Sequence, residues 1–253
     1  MTDMKSFSGK RVLVTGGSGD IGTAMCTAFA RAGAKVAFTW FVNHAGRDAV
    51  TAAIEAAGSE ALAVRVNLRD PTAAGEVSEA IIAAWGGVDI FLSNAATGVL
   101  KPAMELKEKH LQAVMSVNAI AFLRIAQKLM PTMPAGGRLI ALTSAGATRA
   151  LDHYASIGAS KAALESLVRH LAVELGPKGI TVNALCPGVV DTRALNHFPN
   201  RETILKMARA RTPNGRIATP ADVADVALFL ASPAASMIQG QTIVVDGGYS
   251  ILA

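Results

Sequence analysis

Seven short β-branched runs alternate with longer helical patterns along the whole chain, and this alternation restricts the fold more than any other feature of the sequence. The runs are RVLVT (11–15), KVAFTW (35–40), ALAVRV (61–66), VDIFLS (88–93), RLIALTS (138–144), ITVNAL (180–185) and TIVVDG (242–247). Each has the length and composition of a strand. Helical patterns lie between them, near 21–32, 46–57, 72–85, 103–131, 154–175 and 220–231. Strands separated by helices can pair in parallel, with the helices covering both faces of the sheet. No repeat or linker interrupts the pattern, so one α/β domain over 1–253 is expected. The 51% hydrophobic and 17% charged content excludes disorder. No apolar run reaches the roughly 18 residues of a membrane span, and the N-terminus does not read as a signal peptide. Cys26 and Cys186 are far apart and lack metal-ligand spacing. A reduced, cytoplasmic protein is expected, with no metal.

The first strand runs into a glycine turn, VLVTGGSGDIG (12–22). Glycines let the backbone approach a pyrophosphate closely, and the helix that follows offers its N–H groups to the anion. Gly16, Ser18, Gly19, Ile21 and Gly22 are the expected cradle, in a doubly wound Rossmann-type sheet of about seven parallel strands. Asp20 in the same turn is a carboxylate beside a pyrophosphate, which charge disfavours. It is expected to be the helix N-cap. A site for NAD would place an acid about 20 residues past the glycines, on the ribose 2′-hydroxyl. From 33 to 47 there is no Asp or Glu, and the second strand ends in TWFVNHAGR. A 2′-phosphate would be repelled by an acid and held by a cation, so NADPH is the expected cofactor. Arg47 and His44 are the cationic candidates, although Arg47 reads equally as a solvated residue at a helix start.

The stretch HYASIGASK (153–161) places Tyr154 seven residues before Lys161, with Ile157 four before it. At about 100° per residue, steps of four and of seven both return to within roughly 40° of one helix face. Tyr154 should therefore share the face of Lys161, about 4–5 Å nearer the helix start. Lys161 should lower the phenol pKa. When a ketone is reduced, the proton donor must touch the oxygen beside the carbon that receives hydride. When an α,β-unsaturated thioester is reduced, hydride reaches the β-carbon and negative charge appears further along, on the carbonyl oxygen. A tyrosine displaced from the hydride donor suits the second geometry.

The T-G-x-x-x-G-x-G order resembles the short-chain dehydrogenase/reductase superfamily, although Asp20 stands where that pattern has its second glycine. The likeness continues through LSNAA (92–96), SVNAIA (116–121), ALTSAG (141–146), CPGVVDT (186–192) and GQTIVVDGGYS (240–250). The resemblance implies cofactor contacts at Asn67, Leu68, Asn94, Ala95, Pro187, Gly188, Val190 and Thr192. It also implies site roles for Ser144, Asn118, Tyr154 and Lys161. Ser144 would either polarise a thioester carbonyl or cap the fifth strand, and Asn118 would support the site. The Tyr-x6-Lys spacing is similar to that of the enoyl-acyl-carrier-protein reductases of the superfamily, as against Tyr-x3-Lys in ketoreductases. That likeness implies reduction of an enoyl thioester on acyl carrier protein or coenzyme A, by a homotetramer. A carbonyl reductase and a non-catalytic NADP(H) sensor are the competing readings.

The net charge of +5 is local rather than spread. Between 193 and 216 lie Arg193, Arg201, Lys206, Arg209, Arg211 and Arg216 against Glu202 alone. No basic block interleaved with aromatics suggests nucleic acid. The segment 188–219, punctuated by prolines, leaves the sixth strand at its carboxyl end and is a candidate substrate lid. Its charge would either meet an acidic carrier or simply form a solvated face.

Overall fold

The computed structural model describes residues 6–198 and 200–252. The strands are β1 (Arg11–Thr15), β2 (Lys35–Trp40), β3 (Ala61–Arg65), β4 (Ile90–Ser93), β5 (Arg138–Leu142), β6 (Thr181–Pro187) and β7 (Thr242–Val245). They form one sheet in the order β3-β2-β1-β4-β5-β6-β7, every pair parallel. This is a Rossmann-type doubly wound sheet. The chain leaves β1 toward β2 and returns to the other side of β1 as β4, so the loops after β1 and β4 diverge. A crevice opens there, at the carboxyl ends of the strands.

Alternate strand residues serve opposite layers, because side chains on a strand point to opposite faces in turn. Leu13, Ala37, Phe91, Leu139 and Val182 pack on one side, with α3 (Ala73–Trp85), α5 (Ala121–Leu129) and α6 (Ala155–Leu175). Val12, Val36, Phe38, Ile90 and Ile140 pack on the other, with α1 (Asp20–Arg31), α2 (His44–Ala56) and α8 (Pro220–Ala231). Phe29, Phe38, Phe91 and Phe122 are wholly buried, each contributing on the order of 2 kcal/mol by transfer.

The single helical pattern expected over 103–131 is composite. A 3-10 turn (Ala103–Glu105) precedes α4 (Glu108–Met115), and a π-helical turn (Ser116–Ile120) joins α4 to α5. A π turn accommodates one residue more than a regular turn. The continuous helical run Glu108–Thr132 is long and apolar enough by composition to cross a bilayer, contrary to the sequence expectation. Its apolar side is taken up by the core instead, through Val114, Phe122, Ile125 and Leu129.

After β6 the chain passes through a 3-10 turn (Arg193–His197) and α7 (Arg201–Arg211) before α8. Val190 pairs with Ala218 in an isolated parallel bridge that ties the two ends of this excursion together.

Candidate active site

The glycine turn is built so tightly that several of its positions admit no side chain. Gly16 has φ +66°, and a Cβ there would lie 2.8 Å from Ala95 Cα. A Cβ on Gly22 would lie 2.3 Å from the Gly16 carbonyl oxygen. Thr15 and Asn94 hold the turn to the end of β4. The Thr15 hydroxyl accepts from the backbone N–H groups of Asn94 and Ala95 at 3.0 and 3.1 Å. Asn94 Nδ2 donates to the carbonyls of Thr15 and Gly16, both at 3.0 Å. Asn43, the N-cap of α2, ties in the other side by donating to the Ser18 carbonyl at 2.8 Å. A tightly held turn with no room for side chains at Gly16, Gly17 and Gly22, at the N-terminus of α1, fits the pyrophosphate of a dinucleotide. Asp20 is not the N-cap expected from the sequence. Gly19 takes that position, and Asp20 is the first helical residue. Its carboxylate accepts from Arg193 instead, from the backbone N–H at 2.6 Å and from Nε at 2.7 Å. A cation close by satisfies the acid better than its own helix end does.

The end of β2 is cationic, in line with the missing acid. The guanidinium of Arg47 lies 4.9 Å from the Trp40 ring centroid and that of Arg65 lies 5.5 Å from it. His44 meets the same ring edge-on at 4.8 Å. Arg65 went unnoticed in the sequence, where it is one more strand residue. The β2–β3 register, which sets Trp40 beside Arg65, is what brings it here. Asn67 and Leu68 follow directly, with the Asn67 side chain accepting from the Arg69 N–H at 3.2 Å.

Tyr154 does not lie on the helix that carries Lys161. It is the N-cap of α6, with φ −104° and ψ 5°. His153 before it has φ +56°, a left-handed conformation uncommon outside glycine and met often at functional sites. The helix-face angle is therefore not what aims the phenol; this bend does. The Ser144 hydroxyl accepts from the Gly146 N–H at 3.1 Å and donates to the Tyr154 phenol oxygen at 3.2 Å. Gly146 has to be glycine, since a Cβ there would meet the Tyr154 ring at 2.5 Å. Beside the ring opens a cleft of about 250 Å³, bordered by Leu151, Ala155 and Gly158.

Lys161 is 5% exposed and donates to the Leu142 carbonyl at 2.6 Å, not to the phenol. Burial pushes its amine down to about 8, with the nearby Cys186 thiol opposing weakly. Burial also raises the Tyr154 phenol above its ordinary value, against the Ser144 hydrogen bond. The expected lowering by Lys161 is not seen: its amine is engaged by the Leu142 carbonyl, and burial sets the direction. Both cysteines are free and buried; burial lifts Cys186 to about 11.

Ile157, four before Lys161, is 9% exposed. Its Cδ1 lies 2.4 Å from where a Cβ on Gly98 would sit, so it packs directly on that backbone. Asn118 is buried in the π turn. Its Oδ1 accepts from Thr97 N–H at 2.8 Å, and its Nδ2 donates to the Thr97 carbonyl and to Ser160 Oγ at 3.0 and 2.9 Å. It positions the loop after β4 and the helix of Lys161 rather than reaching the reacting groups. Gly188 closes the β6 side, donating to the Val245 carbonyl at 2.9 Å. A Cβ on Gly188 would meet Asp246 Cβ at 2.7 Å. Pro187, Val190 and Thr192 line the chain as it turns from β6 toward Arg193.

The basic segment is far less bare than its sequence suggests. Arg193 pairs with Asp20, and Arg216 forms two hydrogen bonds with Asp222 at 2.6 and 2.7 Å. Arg201 pairs with Asp191 at 2.6 Å and also with Glu202, and Arg209 lies 3.6 Å from Asp191. Asp191 and Asp222 stand just before and just after the stretch counted in the sequence, while Asp20 reaches it through the fold.

These features agree with known proteins. The family model described as enoyl-(acyl carrier protein) reductase matches residues 17–250. A 1-cyclohexenylcarbonyl-CoA reductase of Streptomyces collinus is 37% identical over 95% of this chain and 87% of its own. A 7alpha-hydroxysteroid dehydrogenase of Escherichia coli is 33% identical over 98% and 96%. The crystal structure of a short-chain dehydrogenase from Burkholderia cenocepacia in complex with NADP superposes with a TM-score of 0.89. It is 34% identical and covers 97% of this chain and 99% of that one. The chain belongs to the short-chain dehydrogenase/reductase superfamily. It is an oxidoreductase of that family, and its NADP-bound neighbour supports a nicotinamide cofactor.

Proposed function

We propose that this chain reduces the carbon–carbon double bond of trans-2-enoyl thioesters with NADPH. One observation carries the reading. Ile157, packed on Gly98, occupies the position four before Lys161, and the phenol beside Ser144 comes from Tyr154 instead. The chain has two tyrosines, and the other, Tyr249, lies against Arg211 near the C-terminus. The name of the Streptomyces relative describes an α,β-unsaturated coenzyme A thioester, which supports this reading. The hydroxysteroid dehydrogenase favours a second one, reduction of a carbonyl.

When bound, the cofactor supplies hydride to the β-carbon of the substrate. Tyr154 hydrogen-bonds through its O–H to the thioester carbonyl oxygen, where the negative charge collects, and the α-carbon then takes its proton from solvent. Ser144 donates into the phenol oxygen, so the phenol hydrogen is directed outward to the substrate. A raised phenol pKa keeps that hydrogen in place at neutral pH. Lys161, with one N–H on Leu142, would hold the nicotinamide ribose with its remaining donors. Arg47 and Arg65 hold the 2′-phosphate.

Following NADPH oxidation with crotonyl and acetoacetyl thioesters side by side tests the reaction. The crotonyl substrate should be reduced, the acetoacetyl one hardly at all; the reverse order would make the carbonyl reading correct. In the same preparation NADPH should bind at least about tenfold tighter than NADH, equivalent to about 1.4 kcal/mol.

The thioester carrier, whether acyl carrier protein or coenzyme A, is placed by this reading at α7, beside the segment that leaves β6. Lys206 and Arg209 are exposed on that helix. Reversing both, Lys206→Glu with Arg209→Glu, should raise KM several-fold for a substrate on the acidic carrier protein, through lost encounter steering. An N-acetylcysteamine thioester should be treated as before. Equal losses on both substrates would assign the two charges to folding of the segment.

A further inference from the structure

The chain that follows β6 is fastened at two points. At its start Arg193 donates twice to the Asp20 carboxylate, and Nη2 also reaches the Ser18 carbonyl at 3.1 Å. Asp20 and Ser18 both belong to the turn that receives the pyrophosphate. At its end the Phe198 ring lies on the Tyr154 ring, centroids 6.4 Å apart and planes inclined by 30°. The five-residue turn Arg193–His197 thus spans from the phosphate turn to the phenol.

A carboxylate at the first position of α1 would by itself repel a pyrophosphate. Paired with a guanidinium, its charge is compensated. Because one of the two hydrogen bonds comes from the Arg193 backbone, the pair fixes the main chain as well as a side chain. An exposed ion pair alone contributes little. This one also engages the Arg193 backbone N–H and the Ser18 carbonyl, which sets it apart from a surface contact between two long side chains.

We propose that Asp20 and Arg193 form a clasp that holds the 193–198 turn across the bound dinucleotide, slows cofactor release and seats Phe198 against Tyr154. Asp20 is then a positioning residue for this strap, and its place in the glycine turn has a purpose that glycine could not serve. The inference rests on a nicotinamide dinucleotide occupying the turn and is independent of which substrate is reduced.

Displacement of NADPH from the full-length protein, followed by stopped-flow fluorescence, tests the clasp with Asp20→Asn, Arg193→Gln and the double variant. Each single change should speed release about fivefold, a change in dissociation rather than association. The double variant should release less fast than the sum of the two single effects predicts, since both changes weaken the same clasp. Hydrogen exchange of the 193–198 amides in the NADPH-loaded protein should quicken in all three. If Asp20→Asn slowed release, the carboxylate would be acting by repulsion and the clasp would be refuted. Unchanged release, or effects that add in the double variant, would refute it too. A wild-type protein that bound neither NADPH nor NADH would overturn the dinucleotide reading, and the clasp with it.

Discussion

Replacing Tyr154 with phenylalanine should slow enoyl reduction about 100-fold, the usual scale for one lost oxyanion donor, while the NADPH dissociation constant stays within about twofold. The split follows from geometry. The phenol oxygen receives its recorded hydrogen bond from Ser144, whereas the ring is held by Gly146 and Phe198. Phenylalanine keeps both ring contacts and loses only the donor. The loss should therefore fall on kcat, with KM for the enoyl thioester little changed. A variant that kept the full rate would show that Tyr154 is a packing residue and that the thioester oxygen is met by another group.

Replacing Lys161 with methionine should affect both binding and turnover, and it should also change how stability responds to pH. The buried amine has its pKa lowered from 10.5 to about 8 by desolvation. Folding thus favours the neutral form. Below about pH 8 the folded protein must carry the buried charge, and that penalty is fully present. Between about 8 and 10.5 the unfolded chain binds a proton that the folded one does not, so this group's contribution to stability rises with pH. The rise is on the order of 3 kcal/mol at most. Denaturant melts at pH 7 and 10 should show a wild-type gain that Lys161→Met lacks; parallel curves would mean that the amine is not desolvated. NADPH affinity should move the opposite way. It should weaken in the wild type above about pH 8, as the amine loses the charge it presents to the cofactor.

The strands were legible because a parallel sheet covered on both faces demands short, continuous apolar runs, and nothing else in the chain looks like RVLVT or RLIAL. The glycine turn was legible for a related reason: only glycine fits at Gly16 and Gly22. Much of what was misread depends on contacts between residues distant in sequence. Asp20 was assigned to its own helix because its partner, Arg193, is 173 positions away. The basic segment was counted without Asp191 and Asp222, which flank it, and without Asp20, which reaches it through the fold. Arg65 acquires meaning only from the register of β3 on β2. Tyr154 shows a different limit. The alanine-rich pattern gave the helix to within one residue, but that residue decides whether helix geometry or the bend at His153 aims the phenol. The direction of its pKa was misjudged because desolvation is a property of the packed site and not of Tyr-Lys spacing.

The π turn at Ser116–Ile120 absorbs one residue more than a regular turn, so α4 and α5 stay in step in space although their numbering is offset by one. Deleting a single residue there would heal the helix into a regular one and leave the sheet-facing stripe of α5 (Phe122, Ile125, Leu129) where it is, but it would withdraw the bulged backbone that carries Asn118. Asn118 would then no longer meet Thr97, and the loop after β4 would lose its anchor. The length of this segment, and not only its composition, is therefore under constraint. A gap of one residue at this point would alter the approach to the active site, whereas the same gap at a surface turn would be absorbed.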